Sequence, residues 1–166
     1  MSRATVEILT RSYSFFRERT YATIDRLSEL PHAERALSWR PGPGRAHIAW
    51  QLMHIAVTED IFASERLAPE RSGLFTDLWP RFRGGSTPDE VIPSLDVIRR
   101  TLNESRQSLL ATLAGYDDSR LDDIPDSLAE RGWTVRTVLE LIGWHEAHHQ
   151  GQAHLTLNIY QATHPQ

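Results

Sequence analysis

The sequence predicts an all-α protein, a four-helix bundle forming one domain over residues 1–166. Three observations predict it. Four long stretches carry apolar residues at alternating steps of three and four, the period of one helical face. Segments rich in proline and glycine separate them. No stretch reads convincingly as a strand.

In the first stretch Val6, Leu9, Tyr13, Phe16, Thr20, Thr23 and Leu27 form the seam. Ser2 stands where an N-cap belongs, and Arg17, Arg19, Asp25 and Arg26 fall largely on the solvent side. Pro31 and the run Pro41-Gly42-Pro43-Gly44 bound a connection that cannot be helix. The second helix is expected from near residue 45 to about 67. It shows two neighbouring stripes, Ile48-Leu52-Ile55-Phe62 and Trp50-His54-Val57-Ile61, so most of its circumference should be buried. Residues 68–86 lack a period but carry Leu74, Phe75, Leu78, Trp79 and Phe82. Such a loop should pack on the body of the protein and could cover a site or an interface.

Thr87-Pro88-Asp89-Glu90 has the form of a capping box with proline at the first helical position. It predicts a third helix through Val91, Leu95, Ile98, Leu102, Ser105, Leu109 and Thr112, stopping at Gly115, with Pro93 as the awkward residue. After an Asp-rich connection over residues 116–133, the fourth helix starts at Thr134 and runs to about Gln161. Its seam is Val138, Ile142, His145, His149, Gln152, Thr156 and Ile159.

Composition narrows the function. At 166 residues, with 40% hydrophobic and 24% charged residues, the chain can bury a core without disulfides or structural metal. A net charge of −4 argues against nucleic acid or an anionic membrane as main partner. There is no cysteine, which excludes disulfides, thiolate metal sites and a cysteine nucleophile. All 18 basic residues are arginine, which removes lysine Schiff-base chemistry and the Walker lysine. The longest apolar-looking run free of Asp, Glu and Arg, residues 46–58, is too short to span a bilayer and contains His47, Gln51 and His54. Charges at Arg3, Glu7, Arg11, Arg17, Glu18 and Arg19 interrupt any apolar signal region, so a cytoplasmic location is expected.

Histidine, with eight residues, is the conspicuous chemical resource. His145 and His149, one turn apart on the seam, have the spacing at which two imidazoles bind one metal ion. His54 lies mid-way along the apolar face of the second helix. If the second and fourth helices meet, three imidazoles converge. Taken alone, His54 reads as a hydrogen-bonded core histidine, and the pair reads equally as ligands or as hydrogen-bonded neighbours. His-Glu-Ala-His-His at 145–149 also matches the H-E-x-x-H protease pattern. That match is set aside, because Gln152 and Leu155 stand where the extended pattern wants Gly and His, and no acidic residue follows Glu146.

Trp144-His145-Glu146-Ala147-His148-His149-Gln150-Gly151-Gln152 resembles the C-terminal helix motif of the DinB/YfiT-like superfamily, H-x-x-x-H followed by x-G-Q. Gln51-Leu52-Met53-His54-Ile55-Ala56 resembles the family's second-helix motif, and Trp39 and Pro41 fit the approach to it. The departure is Gln150, where arginine is frequent. The resemblance implies an up-down-down-up four-helix bundle with one divalent metal ion on His54, His145 and His149. Zinc or nickel suits such a site, with iron or manganese also accommodated. His148 is adjacent but points about 100° away, and His32, His47, His154 and His164 read as surface or loop residues.

Three histidines leave coordination positions open, as in catalytic sites. Characterised members of the superfamily include S-transferases and isomerases that use low-molecular-weight thiols. The expectation is therefore a metal-dependent transferase that joins a small-molecule thiol to an electrophilic substrate, in a homodimer. A metal-dependent hydrolase, or a non-catalytic metal-binding or stress-response protein, is the alternative. Glu59, about 140° around the helix from His54, and Gln152, one turn after His149, are candidates to support the ligands through hydrogen bonds. Glu146 could act as a base only if the last helix is rotated relative to its seam. Trp50 and Trp144 are candidate pocket walls.

Overall fold

Proline and glycine punctuation leaves six α-helices among residues 2–165, the part of the chain described by this computed structural model. They are α1 (Ala4–Ser28), α2 (Ala33–Ser38), α3 (Ile48–Ile61), α4 (Trp79–Phe82), α5 (Leu95–Leu113) and α6 (Val135–Thr163). A π-helical turn, Phe62–Arg66, extends α3, and two 3-10 turns, Asp118–Arg120 and Asp126–Arg131, break up the connection before α6. No strand occurs among the described residues.

The four long helices pack in a ring, with α1 against α5 and α6, and α3 against the same two. Hydrogen bonds give the relative directions. Tyr13 reaches Leu139, Arg17 reaches Glu146 and Arg26 reaches Asn158, so α1 and α6 run the same way. Glu59 meets Arg106, and Thr112 meets Ala63, so α3 and α5 also run together. His54 meets His145 and Gln51 meets His149, so α3 opposes α6.

The predicted seams of α1 and α5 are buried, from Val6 through Tyr13, Thr20 and Leu27, and from Ile98 through Leu102 and Ser105 to Leu109. Almost all of α3 is enclosed, as its double stripe requires. Gly143 permits the close α1–α6 approach: a Cβ there would stand 3.0 Å from Phe16 Cε2.

Several expectations fail for physical reasons. The connection after α1 does contain a helix: between Pro31 and Pro41 lie enough breaker-free residues for α2, which buries Ala36 and Leu37. The capping box at Thr87 is not used. Pro93 has no N–H to donate and disfavours helix for Ile92, so α5 begins two residues later. Ser94 caps it by accepting from Val97 N at 3.3 Å. Val91 is left 66% exposed. Asp89 instead pairs with Arg81 at 2.7 Å. Asp118, remote in sequence, caps α1 by accepting from Thr5 and Val6 N–H at 3.1 Å each, with Ser2 hydrogen-bonded to it.

Arg17 was expected in solvent and is buried. It donates to Glu59 and Glu146, and Arg106 of α5 donates to both carboxylates as well. Thr20 and Ser105 complete the cluster. Four charges, one from each long helix, are thus enclosed at mid-height. Burial opposes the Arg17 charge, but the two carboxylates more than restore it and raise its pKa. Burial would likewise push Glu59 up, yet Arg17 and Arg106 hold it below the usual carboxylate range.

Candidate metal centre

The face of α6 that enters the core is centred on Leu139, Ile142, Glu146, Ala153 and Leu157. It is rotated from the expected seam, so His145 and His149 lie at its edge, half-buried and turned toward α3. His54 on α3 is buried opposite them. Its Nε2 is 3.1 Å from Nε2 of His145. The ring centroids of His54 and His149 are 4.5 Å apart, as are those of His145 and His149. One ring nitrogen from each of the three lies within 4.8 Å of the other two.

Two of the rings are oriented by fixed acceptors. His54 Nδ1 is 2.6 Å from the carbonyl oxygen of Phe82. A carbonyl only accepts, so the proton is on Nδ1 and Nε2 carries the lone pair. His149 Nδ1 is 2.5 Å from Gln51 Oε1, which accepts from it when the proton is on Nδ1. Metal-binding histidines are held by such partners. Trp50 stacks on His54 at 4.5 Å, interplanar angle 17°, and closes its other face. Burial, and then the neighbouring imidazoles, push His145 down to about 2 and His149 to about 3. Burial also lowers His54. All three are neutral at physiological pH, the state a metal ligand needs.

The donor set fits a borderline divalent ion. With Zn–N bonds of 2.0–2.1 Å, tetrahedral ligand nitrogens lie about 3.3 Å apart, close to the His54–His145 separation. The third ring, His149, contributes a nitrogen within 4.8 Å of the other two. The arrangement could hold one ion with a position left open.

The remaining expected residues stand elsewhere. The oxygens of Glu59 are taken by Arg17, Arg106 and Ser105, not by an imidazole. Glu146 does face inward, but Arg17, Thr20 and Arg106 occupy it, so it is not free to act as a base. Gln152 lies 2.9 Å from His148, and its hydrogen bonding opposes the depression of His149. Trp144 is 59% exposed and stacks on His148, outside the site. His47 is buried, not on the surface. Its Nδ1 caps α3 by accepting from Trp50 N at 3.0 Å. His32, His154 and His164 are exposed as expected.

Two supporting groups escaped the sequence reading. The Phe82 carbonyl has no side-chain signature. Gln51, a lone amide three residues before His54 on an apolar helix, was a legible signal.

The fold and this site define an all-helical protein with a three-histidine cluster between two long helices. The DinB superfamily profile matches residues 14–153, and the chain belongs to that superfamily. Among curated proteins no match is found. No helix of the described residues is long and apolar enough to cross a membrane.

Proposed function

We propose that this protein is a divalent-metal-dependent enzyme that transfers a low-molecular-weight thiol to a small electrophile in the cytoplasm, with His54, His145 and His149 holding the ion. The observation that carries this reading is the convergence of three neutral ring nitrogens within 4.8 Å, beside an accessible cleft. A bound divalent ion supplies Lewis acidity, lowering the pKa of a thiol or water ligand at neutral pH. The protein's own residues do the rest. Phe82 fixes the tautomer of His54, Gln51 orients His149, and Trp50 shields His54 from solvent. Overall, the sulfur bonds to the electrophilic carbon, the leaving group departs with its electron pair, and the thiol proton passes to solvent. Family membership supports the metal and leaves the choice of thiol transfer as our inference.

The order of the four long helices supports an up-down-down-up bundle as part of the same proposal. A homodimer is also proposed, because α6 leaves Trp144, Leu155 and Ile159 exposed along one face.

Elemental analysis of untagged protein beside a His145→Ala/His149→Ala variant tests the site. The parent should carry about one divalent ion per chain and the folded variant none. The metal-loaded protein is then mixed with candidate thiols and monochlorobimane. A metal-dependent conjugation rate supports transfer. Turnover of esters or amides without thiol would instead favour the hydrolase, and absence of metal in the parent would sink both.

A further inference from the structure

Beside the histidines lies a cleft of about 260 Å³, with His54 and His145 in its lining. Its volume falls just under the range of about 300–1,000 Å³ typical for drug-sized ligands, so it suits a small molecule. Two features of the wall stand out. The carbon-rich part is formed by Ile61, Phe62, Leu128, Trp133 and Leu141, and the charged part consists of arginine alone: Arg66, Arg83 and Arg131. No carboxylate lines it, although the chain as a whole has net charge −4.

The three guanidiniums come from three separate segments, the π-helical turn, the residue after α4 and the second 3-10 turn. They are not equally committed. Arg66 pairs with Glu65 at 2.8 Å and donates to Ser127 O. Arg131 lies over the Trp133 ring at 4.9 Å, a contact that leaves its N–H donors unused. Arg83 makes no side-chain hydrogen bond or ion pair among the described residues. Arg83 and Arg131 are the exposed pair, with no carboxylate partner among the described residues, and a bidentate anion would supply the missing counter-charge.

We propose that this cleft binds a small carboxylate with an apolar body, its carboxylate held by Arg83 and Arg131 and its other end directed toward His54 and His145. The inference names the substrate class of the metal-dependent reaction proposed above and rests on that reading for its chemistry, but not for the binding itself. The apolar wall sets the preference for an aryl or branched aliphatic body. The arginines exclude cations and discriminate against neutral analogues.

Calorimetric titration with benzoate and with benzamide, its neutral analogue, tests this on both zinc-free and zinc-loaded protein. Benzoate should bind the zinc-free protein about tenfold more tightly than benzamide, the scale of one charge-assisted hydrogen bond. An Arg83→Met/Arg131→Met variant should lose that preference while keeping its zinc content and its affinity for benzamide. Both residues are exposed, so the fold should survive, and circular dichroism checks it. Equal binding of the two probes, or benzoate binding unchanged in the variant, overturns the proposal. If benzoate binds only with zinc present and is insensitive to the arginine changes, the carboxylate is a metal ligand and the cleft assignment fails. If zinc never binds but the arginine-dependent preference persists, the cleft assignment stands and the metal-dependent function fails.

Discussion

At the residue scale the site depends on three imidazoles that burial keeps neutral. Replacing His54, His145 or His149 by alanine should abolish stoichiometric metal binding, read by elemental analysis. Gln51→Ala should weaken metal affinity by about tenfold without abolishing it, because the orienting acceptor on His149 is lost. A chelator competition assay measures this, and an unchanged affinity would show that Gln51 does not orient the ring. The same burial sets a pH dependence. The folded pKa values of His47, His54, His145 and His149 all lie below the ordinary value of about 6.5. Below that value the unfolded chain takes up protons that the folded protein does not. Stability of the metal-free protein should therefore be complete above about pH 6.5 and fall progressively on acidification. Urea unfolding at pH 7.5, 6.5 and 5.5 checks the sign, and a flat profile would contradict it. The trio was legible because an i, i+4 pair on an apolar seam and a histidine inside an apolar stripe are local patterns. The arginine and glutamate cluster was not, since period alone assigns any charge to the solvent side. Arg17 is buried only because its partners arrive from helices more than forty residues away.

At the scale of elements, α3 and the segment after it form one unit. Asp60 accepts from Leu74 N (2.8 Å), Phe75 N (2.9 Å) and Trp79 Nε1 (2.9 Å), pinning the loop to the helix that carries His54. Gly73 fits beneath, where a Cβ would come within 2.4 Å of Trp79 Cζ2. The loop then continues to Phe82, whose carbonyl orients His54. Asp60→Ala should destabilise the protein by about 2–4 kcal/mol, since it removes the shared acceptor of three part-buried donors, each bond contributing about 0.5–1.5 kcal/mol. It should also weaken metal binding, although Asp60 makes no hydrogen bond to a histidine. Denaturation and chelator competition on the same variant check both effects, and a loss of stability with full metal affinity would uncouple the loop from the site. Packing of this loop was foreseeable from its aromatic residues. Its tether was not, because Asp60 reads as one more polar residue near the end of a helix. The start of α5 departs from the sequence expectation for a similar reason. The capping box is a real local preference, but Pro93 lies too close behind it and Ser94 offers a competing cap.

At the scale of the whole molecule, the Arg17–Glu59–Arg106–Glu146 cluster joins α1, α3, α5 and α6. Removing one member leaves its partners charged and enclosed. Glu146→Leu should cost about 3–5 kcal/mol in urea unfolding, and a loss below about 1 kcal/mol would mean that the cluster behaves like a surface pair. The all-helical class and the four long helices followed from periodicity. Which helices lie side by side did not, because seams are alike and only the long-range hydrogen bonds distinguish neighbours. The cluster has a further consequence, for the route by which the chain reaches its native state. Any assembly of three helices that excludes the fourth leaves the charges of the cluster unbalanced, and the excess must stay in water. Partly assembled bundles are therefore held open at mid-height, and closure of the last helix coincides with dehydration of all four groups. Folding should accordingly be all-or-none, with the ring of helices sealing in a single late event and no dry three-helix intermediate accumulating.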